Sequence, residues 1–279
     1  MSFNKVILQQ AIDNLAATGK VYSNESQFQF DLAWELHKSG FCVELEVLSC
    51  NRLITDFVKL KKDEKQKYYT DIMVKDEDGS YVAIELKYKT VEENIEYTTQ
   101  SGKWIAFSQG AENQGAYYFW KDVQRLEDLV NNRVPLNFDD SKRVSRGYAV
   151  LLTNSSKYWY YNSSSTAREF FPAIGRTFAN SLCWYIKYDT ANNARVDGKR
   201  KTDGNIIEIK LSDAEKVEKY KTAKEKTADR LPIKLTGSYT IGNNDWIKYD
   251  CGITASSVIS GSANKNSKND EFKYLIIEV

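Results

Sequence analysis

Three side chains capable of metal binding or catalysis, Asp71, Glu85 and Lys87, lie close together in the sequence. Between them, Lys75–Ser80 has the composition of a turn, and its Asp-Gly pair favours the left-handed backbone of a hairpin. The residues on either side have side chains that alternate between two faces, as in strands. We therefore predict a β-hairpin over residues 68–90, which brings the acid of its first strand close to the acid and the lysine of its second.

Two neighbouring carboxylates repel each other, so a stable pair needs a shared proton or a bound cation. Mg²⁺ meets this requirement, because it takes oxygen ligands and commonly binds one or two carboxylates together with a substrate phosphate. We predict Mg²⁺ at this site, with Mn²⁺ as a substitute. The simpler interpretation is a solvated strand face on which Glu and Lys pair across the sheet.

Asp71, followed after the turn by Glu85-Leu86-Lys87, resembles the motif of the PD-(D/E)xK superfamily, to which many restriction and repair nucleases belong. The resemblance implies that Asp71 and Glu85 hold the metal. It also implies that Lys87 orients the attacking water or stabilises charge on the phosphate. Thr70 stands where the superfamily often has a proline, a departure that weakens the recognition more than the mechanism.

A helix is predicted from Asn24 to Ser39, with Asn24 as its N-cap and Gly40 just beyond its end. Glu25 falls on the apolar stripe of this helix, where an acid needs a partner. Superfamily members often add an acid from the helix that precedes the sheet, so the resemblance implies that Glu25 is a further metal or water ligand. The alternative is that Glu25 only favours the helix dipole, as acids in a first turn commonly do.

A later helix is predicted from Ala111 to Val130, and its polar side is expected to include Asp122 and Glu127. Gln114 and Tyr118 are four residues apart and therefore share one face. The pair resembles the Q-x-x-x-Y element that follows the E-x-K strand in the RecB-type branch, which implies that both residues line the site and contact nucleic acid. The alternative is an ordinary helix with an exposed glutamine and a half-buried tyrosine.

Two further strands complete the predicted order of elements. Phe41–Leu48 alternates as a strand does, and Gly147–Thr153 is an apolar run typical of a strand covered on both faces. The order helix, strand, strand, strand, helix, strand matches the αβββαβ core of the restriction-endonuclease-like α/β fold, a mixed central sheet flanked by helices. We predict a single domain over 1–279, with a nuclease-like core at about 20–155 and a β-rich extension at about 156–279.

Other segments are interpreted from their composition. The polar stretch 91–109 is predicted to be a loop over the site, and 256–269 a second loop. The aromatic residues 158–161 are predicted to form a strand packed on the core, with base stacking as the alternative. Residues 59–67 form a lysine-rich loop or edge, and 212–229 a charged surface helix.

Composition narrows the chemistry. The chain has one histidine and four cysteines without a C-x-x-C spacing, which argues against histidine-cluster nucleases, a zinc site and a disulfide framework. A net charge of +1 does not by itself indicate a nucleic-acid-binding protein. No stretch is long and apolar enough to span a membrane and the N-terminus lacks a signal-peptide pattern, so we expect a cytoplasmic protein that contacts no membrane.

These features predict a metal-dependent nuclease that hydrolyses phosphodiester bonds, in DNA more than in RNA. A homodimer is a possible assembly, because cutting both strands of a duplex often calls for two active sites. The main alternative is a catalytically silent nucleic-acid-binding or interaction protein on the same fold, which the near-neutral charge favours. A further alternative is an α/β protein whose hairpin carries only solvated charge.

Overall fold

The computed structural model of the chain describes residues 2–50, 68–131, 143–160, 170–182, 186–189, 194–197, 233–260 and 271–279. The predicted lysine-rich segment 59–67 and the charged helix 212–229 lie outside these residues. The described part has three α-helices: α1, Lys5–Ala17; α2, Glu25–Lys38; and α3, Glu112–Val130. The two helices predicted around the site are therefore confirmed, with bounds that differ by one residue.

The described residues also form thirteen strands. They are β1, Cys42–Cys50; β2, Tyr68–Lys75; β3, Tyr81–Lys89; β4, Asn94–Thr99; β5, Gly102–Ala106; β6, Val144–Thr153; β7, Thr177–Leu182; β8, Ile186–Asp189; β9, Ala194–Asp197; β10, Ile233–Thr240; β11, Trp246–Tyr249; β12, Ala255–Ser260; and β13, Phe272–Glu278. A short 3-10 turn, Ser156–Tyr158, follows β6. A strand was predicted over residues 158–161. That prediction was wrong for Tyr158, which belongs to this turn.

The main sheet has six strands in the order β1-β2-β3-β6-β13-β11. Strands β3 and β6 run parallel, with α3 between them in sequence, and every other neighbouring pair in this sheet is antiparallel. A parallel pair needs a long crossover connection, which α3 supplies here. The chain is therefore an α/β protein with a mixed sheet, as predicted. The proposed division at about residue 156 stays a prediction, but β11 and β13 from beyond it belong to the same sheet as β3.

Helices cover both faces of the main sheet, because successive side chains of a strand point to opposite sides. One face, which includes Ile84 and Leu86 of β3, packs against α1 and α2. The other face, which includes Ala83 of β3, packs against α3. Glu85 and Lys87 belong by alternation to the α3 face. The sheet thus buries its centre on both sides and carries the candidate residues between β3 and α3.

The cap of α2 explains why the helix begins beside the hairpin. Asn24 Oδ1 accepts a hydrogen bond of 2.9 Å from the backbone N–H of Gln27, and Gln27 Oε1 accepts one of 3.0 Å from the N–H of Ser23. These bonds satisfy N–H groups that a helix start otherwise leaves without partners. The cap fixes the first turn of α2, and with it the position of Glu25.

The prediction of a loop over 91–109 was wrong. Strands β4 and β5 form a hairpin there, and β12 pairs with β4, so part of the second predicted loop is also a strand. Ile95 and Tyr97 of β4 are buried, whereas the polar residues between them face outward. The average polarity of the segment concealed this alternation of period two. No helix in the described ranges is long and apolar enough to cross a membrane.

Candidate active site

The hairpin of β2 and β3 places Asp71 next to Glu85. In the register of this hairpin, Ile72 pairs with Ile84 and Met73 pairs with Ala83. Asp71, which precedes Ile72 in β2, therefore lies opposite Glu85, which follows Ile84 in β3. Asp71 Oδ2 accepts a hydrogen bond of 2.7 Å from the backbone N–H of Leu86. The pairing of the two acids that the sequence predicted is therefore confirmed in position.

A polar side chain from α2 fixes the backbone at Asp71. Gln29, one helical turn after Glu25, is buried, and its amide nitrogen donates to the Asp71 carbonyl at 2.8 Å and to Glu46 Oε1 at 2.7 Å. Glu46 of β1 lies opposite Asp71 and has a left-handed backbone, with φ of 50°. Sequence reasoning did not select Gln29, because a glutamine in a helix carries no catalytic signature.

The conformation of Glu46 also corrects the prediction for β1. A simple alternation would put Val43 and Val47 on one face, but Val43 packs on the α1–α2 side of the sheet and Val47 on the α3 side. A positive φ interrupts the regular pleat, and an L-residue adopts it only where surrounding contacts impose it. Here the interruption lies directly beside Asp71.

Glu85 is buried, with 3% of its surface exposed, and is held by Tyr68. The Tyr68 hydroxyl donates a short hydrogen bond to Glu85 Oε1. Burial raises the pKa of Glu85 well above its usual value, and the nearby Asp71 and Asp122 raise it further. The guanidinium of Arg125 lies over the Tyr68 ring, 4.8 Å from its centroid. Tyr68 thus connects the acid of β3 to a cation of α3.

Lys87 lies among acids from two helices. Its ammonium is 3.2 Å from Asp122 Oδ2 and 3.6 Å from Glu25 Oε1, and it donates to the Leu86 carbonyl at 3.2 Å. Burial alone would lower the pKa of Lys87, but Asp122 and Glu25 raise it above the usual lysine value. Lys87 is therefore a permanent cation, suited to charge stabilisation and unsuited to accepting a proton.

Asp122 and Arg125 are functional candidates that sequence reasoning missed. Asp122 was predicted on the polar side of α3 but is only 2% exposed, because it faces Lys87 on the sheet face that α3 covers. Arg125, one turn later, binds the other carboxylate oxygen of Asp122 at 2.8 Å. The available signal was the spacing of Asp122, one turn after Tyr118 and two turns after Gln114, which puts all three on one face of α3.

Glu25 reaches the site from the first turn of α2. Its Oε2 accepts a hydrogen bond of 2.8 Å from the backbone N–H of Tyr88, while Oε1 faces Lys87. Glu25, which was predicted to lie on the inward stripe of α2, therefore contacts β3 of the hairpin. A role as metal ligand stays a prediction, because the described contacts of Glu25 are with Lys87 and the backbone.

Gln114 and Tyr118 lie on the face of α3 that carries Asp122, near the end of β3. The close approach occurs at Gly115, where an added Cβ would be 2.7 Å from Lys89 Cε. Tyr118 is half-buried, and the Lys121 ammonium lies 5.7 Å from its ring centroid. On this face Asp122 contacts the site through Lys87, whereas the predicted contact of Gln114 and Tyr118 with nucleic acid stays a prediction.

The charges of the site favour a bound cation. Its groups are the carboxylates of Asp71, Glu85, Asp122 and Glu25, and the cations of Lys87 and Arg125. Burial raises the pKa of Asp71 to about 7, and the nearby Asp122 and Glu25 raise it as well, so a negative charge on Asp71 is costly here. The described residues contain no group of three His, Cys, Asp or Glu placed to hold a metal. Two carboxylates are nevertheless enough for Mg²⁺, which keeps several waters.

No protein-family model, curated protein or solved structure gives a significant match to this chain. The chemistry of the site is therefore argued from its own geometry and charge.

Proposed function

We propose that this protein is a metal-dependent nuclease whose centre lies between β2, β3 and α3. The observation that supports the proposal most strongly is the pair formed by the half-buried Asp71 and the buried Glu85, both with raised pKa values, beside the permanently charged Lys87. Desolvated acids and a charged lysine in one place are more typical of a functional site than of a surface strand.

The metal would be Mg²⁺, held by Asp71 and Glu85, with Glu25 as the third predicted ligand. Bound there, it would supply activation of water and neutralisation of phosphate charge. Its oxygen donors are already oriented, because Leu86 N–H holds Asp71 and Tyr68 holds Glu85. A divalent cation would also replace the protons that the two carboxyl groups otherwise retain.

The protein groups have separate tasks in the proposed reaction. In the hydrolysis, the oxygen of water bonds to phosphorus, the P–O bond to the leaving oxygen breaks, and that oxygen receives a proton. Lys87 places a fixed positive charge beside the reacting phosphate, where negative charge accumulates in the transition state. Asp122 and Glu25 orient Lys87, because its ammonium lies between their carboxylates.

Apart from the β4–β5 hairpin, which lies between β3 and α3 in sequence and belongs to another sheet, the order α2, β1, β2, β3, α3, β6 resembles that of a restriction-endonuclease-like core. We propose this finer fold assignment together with the function. DNA is the proposed substrate ahead of RNA, and a pair of chains acting on the two strands of a duplex is the proposed assembly. Both proposals rest on the resemblance of the Asp71, Glu85 and Lys87 motif to that of the PD-(D/E)xK superfamily.

The test is incubation of the purified chain with labelled single-stranded DNA, duplex DNA and RNA, with Mg²⁺, Mn²⁺ or EDTA. Glu85→Gln and Lys87→Ala should each abolish metal-dependent cleavage, because one removes a carboxylate ligand and the other the fixed charge. Glu96→Gln is a matched control, since Glu96 is a surface residue of β4 paired with Lys103 at 2.8 Å. Circular dichroism should show all three variants folded.

Metal-dependent cleavage by the wild type and by Glu96→Gln, lost in the two site variants, would support the nuclease and identify its substrate. Cleavage that persists unchanged in Glu85→Gln would remove the hairpin from the mechanism. A second candidate function is nucleic-acid binding without catalytic activity. Two observations favour it: Lys87 is already ion-paired, and the described residues contain no group of three acids placed to hold a metal. Metal-independent DNA binding without cleavage would favour it.

A further inference from the structure

Lys89 lies on the same face of β3 as Lys87, but in the described part of the chain its positive charge is not paired with carboxylates as that of Lys87 is. The two lysines are two residues apart, so their side chains leave the same side of the strand, separated by roughly 7 Å. The charge of Lys87 is compensated by Asp122 and Glu25. Within the described residues, no oxygen forms a hydrogen bond or ion pair with the Lys89 ammonium.

Lys89 is nevertheless partly buried, in a space between β3 and α3 that exists because residue 115 is a glycine. Its stem lies against α3 at Gly115, where an added Cβ would be 2.7 Å from Lys89 Cε and 3.0 Å from its Cδ. Any larger residue at Gly115 would occupy the space of the lysine stem. The missing side chain at Gly115 therefore leaves room for the Lys89 side chain between β3 and the first turns of α3.

A half-buried ammonium without a partner is unfavourable, because it has lost water and gained no counter-charge. Consistent with this, burial lowers the pKa of Lys89, Lys87 lowers it further, and Glu25 raises it only in part. An anion that approaches along the face of β3 would supply the missing partner. Lys89 is thus the cation of this face that is available to a ligand.

We propose that Lys89 binds the phosphate next to the one that is cleaved, so that the substrate strand passes the C-terminal end of β3 at the first turns of α3. This inference rests on the proposed nuclease function and deepens it. Consecutive phosphates of a nucleic-acid strand can reach both positions, since the two lysines are separated by roughly 7 Å. The substrate class is therefore a polynucleotide with at least one phosphate beyond the scissile bond, and Lys89 is a binding residue rather than a catalytic one.

Lys89→Met tests the proposal, because methionine keeps much of the apolar stem and removes the charge. In EDTA, binding of labelled single-stranded and duplex DNA is measured by fluorescence anisotropy over a range of salt concentrations. The variant should bind roughly tenfold to a hundredfold more weakly, as expected for loss of one charge-assisted contact. The slope of log K against log salt should fall by roughly one phosphate contact. Lys89→Arg should restore both.

Cleavage assays separate Lys89 from the catalytic centre. With metal, Lys89→Met should raise KM for DNA while leaving hydrolysis of bis(4-nitrophenyl) phosphate, which has one phosphate, unchanged. Lys248→Met is the matched control, since Lys248 is exposed and pairs with Asp250 at 2.9 Å on β11. Thermal unfolding should show that neither variant is less stable than the wild type, since Lys89→Met removes a half-buried charge.

The outcomes distinguish this inference from the function on which it rests. DNA binding and cleavage by Lys89→Met that match Lys248→Met would overturn the role of Lys89 and leave the nuclease standing. Equal loss on DNA and on the small diester would also overturn it, because the effect would then lie in the catalytic centre. A wild type that neither cleaves nor binds DNA would remove the proposed function and this inference together.

Discussion

At the scale of single residues, the two acids of the hairpin behave differently from exposed acids because the fold half-buries Asp71 and buries Glu85. Asp71 keeps one fixed donor, the N–H of Leu86, and Glu85 keeps one, the hydroxyl of Tyr68. Neither acid forms an ion pair with Lys87 in the described structure; that lysine pairs with Asp122 and Glu25. The charges of Asp71 and Glu85 are therefore left for protons or a cation to balance.

The raised pKa of Asp71 predicts how stability depends on pH without metal. Its folded pKa of about 7 exceeds the unfolded value of roughly 3.9, so the native state binds more protons between these values. The stabilisation by the bound proton is complete below about pH 4 and is lost as pH rises through about 7. Asp71→Asn should therefore gain stability relative to wild type across this window, by up to roughly 4 kcal/mol.

Urea unfolding in EDTA at several pH values measures this difference. Asp78→Asn is the matched control, because Asp78 is exposed in the turn of the same hairpin and hydrogen bonds from Ser80 lower its pKa. Its difference from wild type should have the opposite sign. A stability difference for Asp71→Asn that does not vary with pH would show that Asp71 is not desolvated as described.

Asp122 is predicted to position Lys87. Asp122→Asn preserves the shape of the side chain but removes the counter-charge that holds both the Lys87 ammonium and the Arg125 guanidinium. Its single-turnover cleavage rate should fall roughly tenfold to a hundredfold, the range for loss of a charge-assisted contact. If Asp122 acts through Lys87, the substitution should not lower further whatever residual single-turnover rate a Lys87→Met variant retains at high enzyme concentration. Additive losses in the double variant would instead indicate an independent role.

At the scale of elements, helix α3 contacts both the candidate site and strand β10, and it uses a different acid for each. Asp122 contacts the site, whereas the buried Glu127 binds strand β10. The carboxylate of Glu127 accepts from the N–H groups of Thr236 and Gly237, at 2.7 and 2.6 Å, and from the Tyr239 hydroxyl at 2.8 Å. Glu127, predicted only as part of the polar side of α3, is therefore a buried structural anchor for β10.

Glu127→Ala should consequently lower stability without changing catalysis. It leaves two backbone N–H groups and a hydroxyl without their acceptor, and we expect a loss of roughly 3 kcal/mol, the upper range for hydrogen bonds to a charged group. The free energy of unfolding in urea checks the loss, and the cleavage rate per folded molecule should stay at the wild-type value. A variant with native stability but reduced activity would place Glu127 in the site after all.

The elements around the site were predictable where one local signal determined them. The Asp-Gly turn, the Asn24 cap and the spacing of apolar residues identify the hairpin and both helices. Burial of Asp122 was not predictable, because it depends on Lys87 from another element, and a polar residue of a helix is by default assigned to solvent. The change of face at Glu46 was hidden for the same reason, since the contact through Gln29 is tertiary.

At the scale of the whole molecule, the near-neutral total charge hides an uneven distribution. The centre of the sheet is acidic around Asp71 and Glu85, while Lys87 and Lys89 follow along the same strand. Strand β3 lies between β2 and β6 and is covered by helices on both faces, so its backbone is held on every side. A site on such a strand is preorganised, and a ligand there is bound by the folded state alone.

This linkage predicts that Mg²⁺ stabilises the protein against unfolding. A cation that binds only the native site raises the free energy of unfolding by about 2.7 kcal/mol at a concentration 100 times its Kd. The melting temperature should therefore rise with Mg²⁺ concentration above the EDTA value, and more steeply at pH 8 than at pH 6, because the carboxyl group of Asp71, with a pKa of about 7, is then ionised. Glu85→Gln should abolish the rise and Glu96→Gln should retain it. An equal rise in wild type and Glu85→Gln would place the cation elsewhere on the molecule.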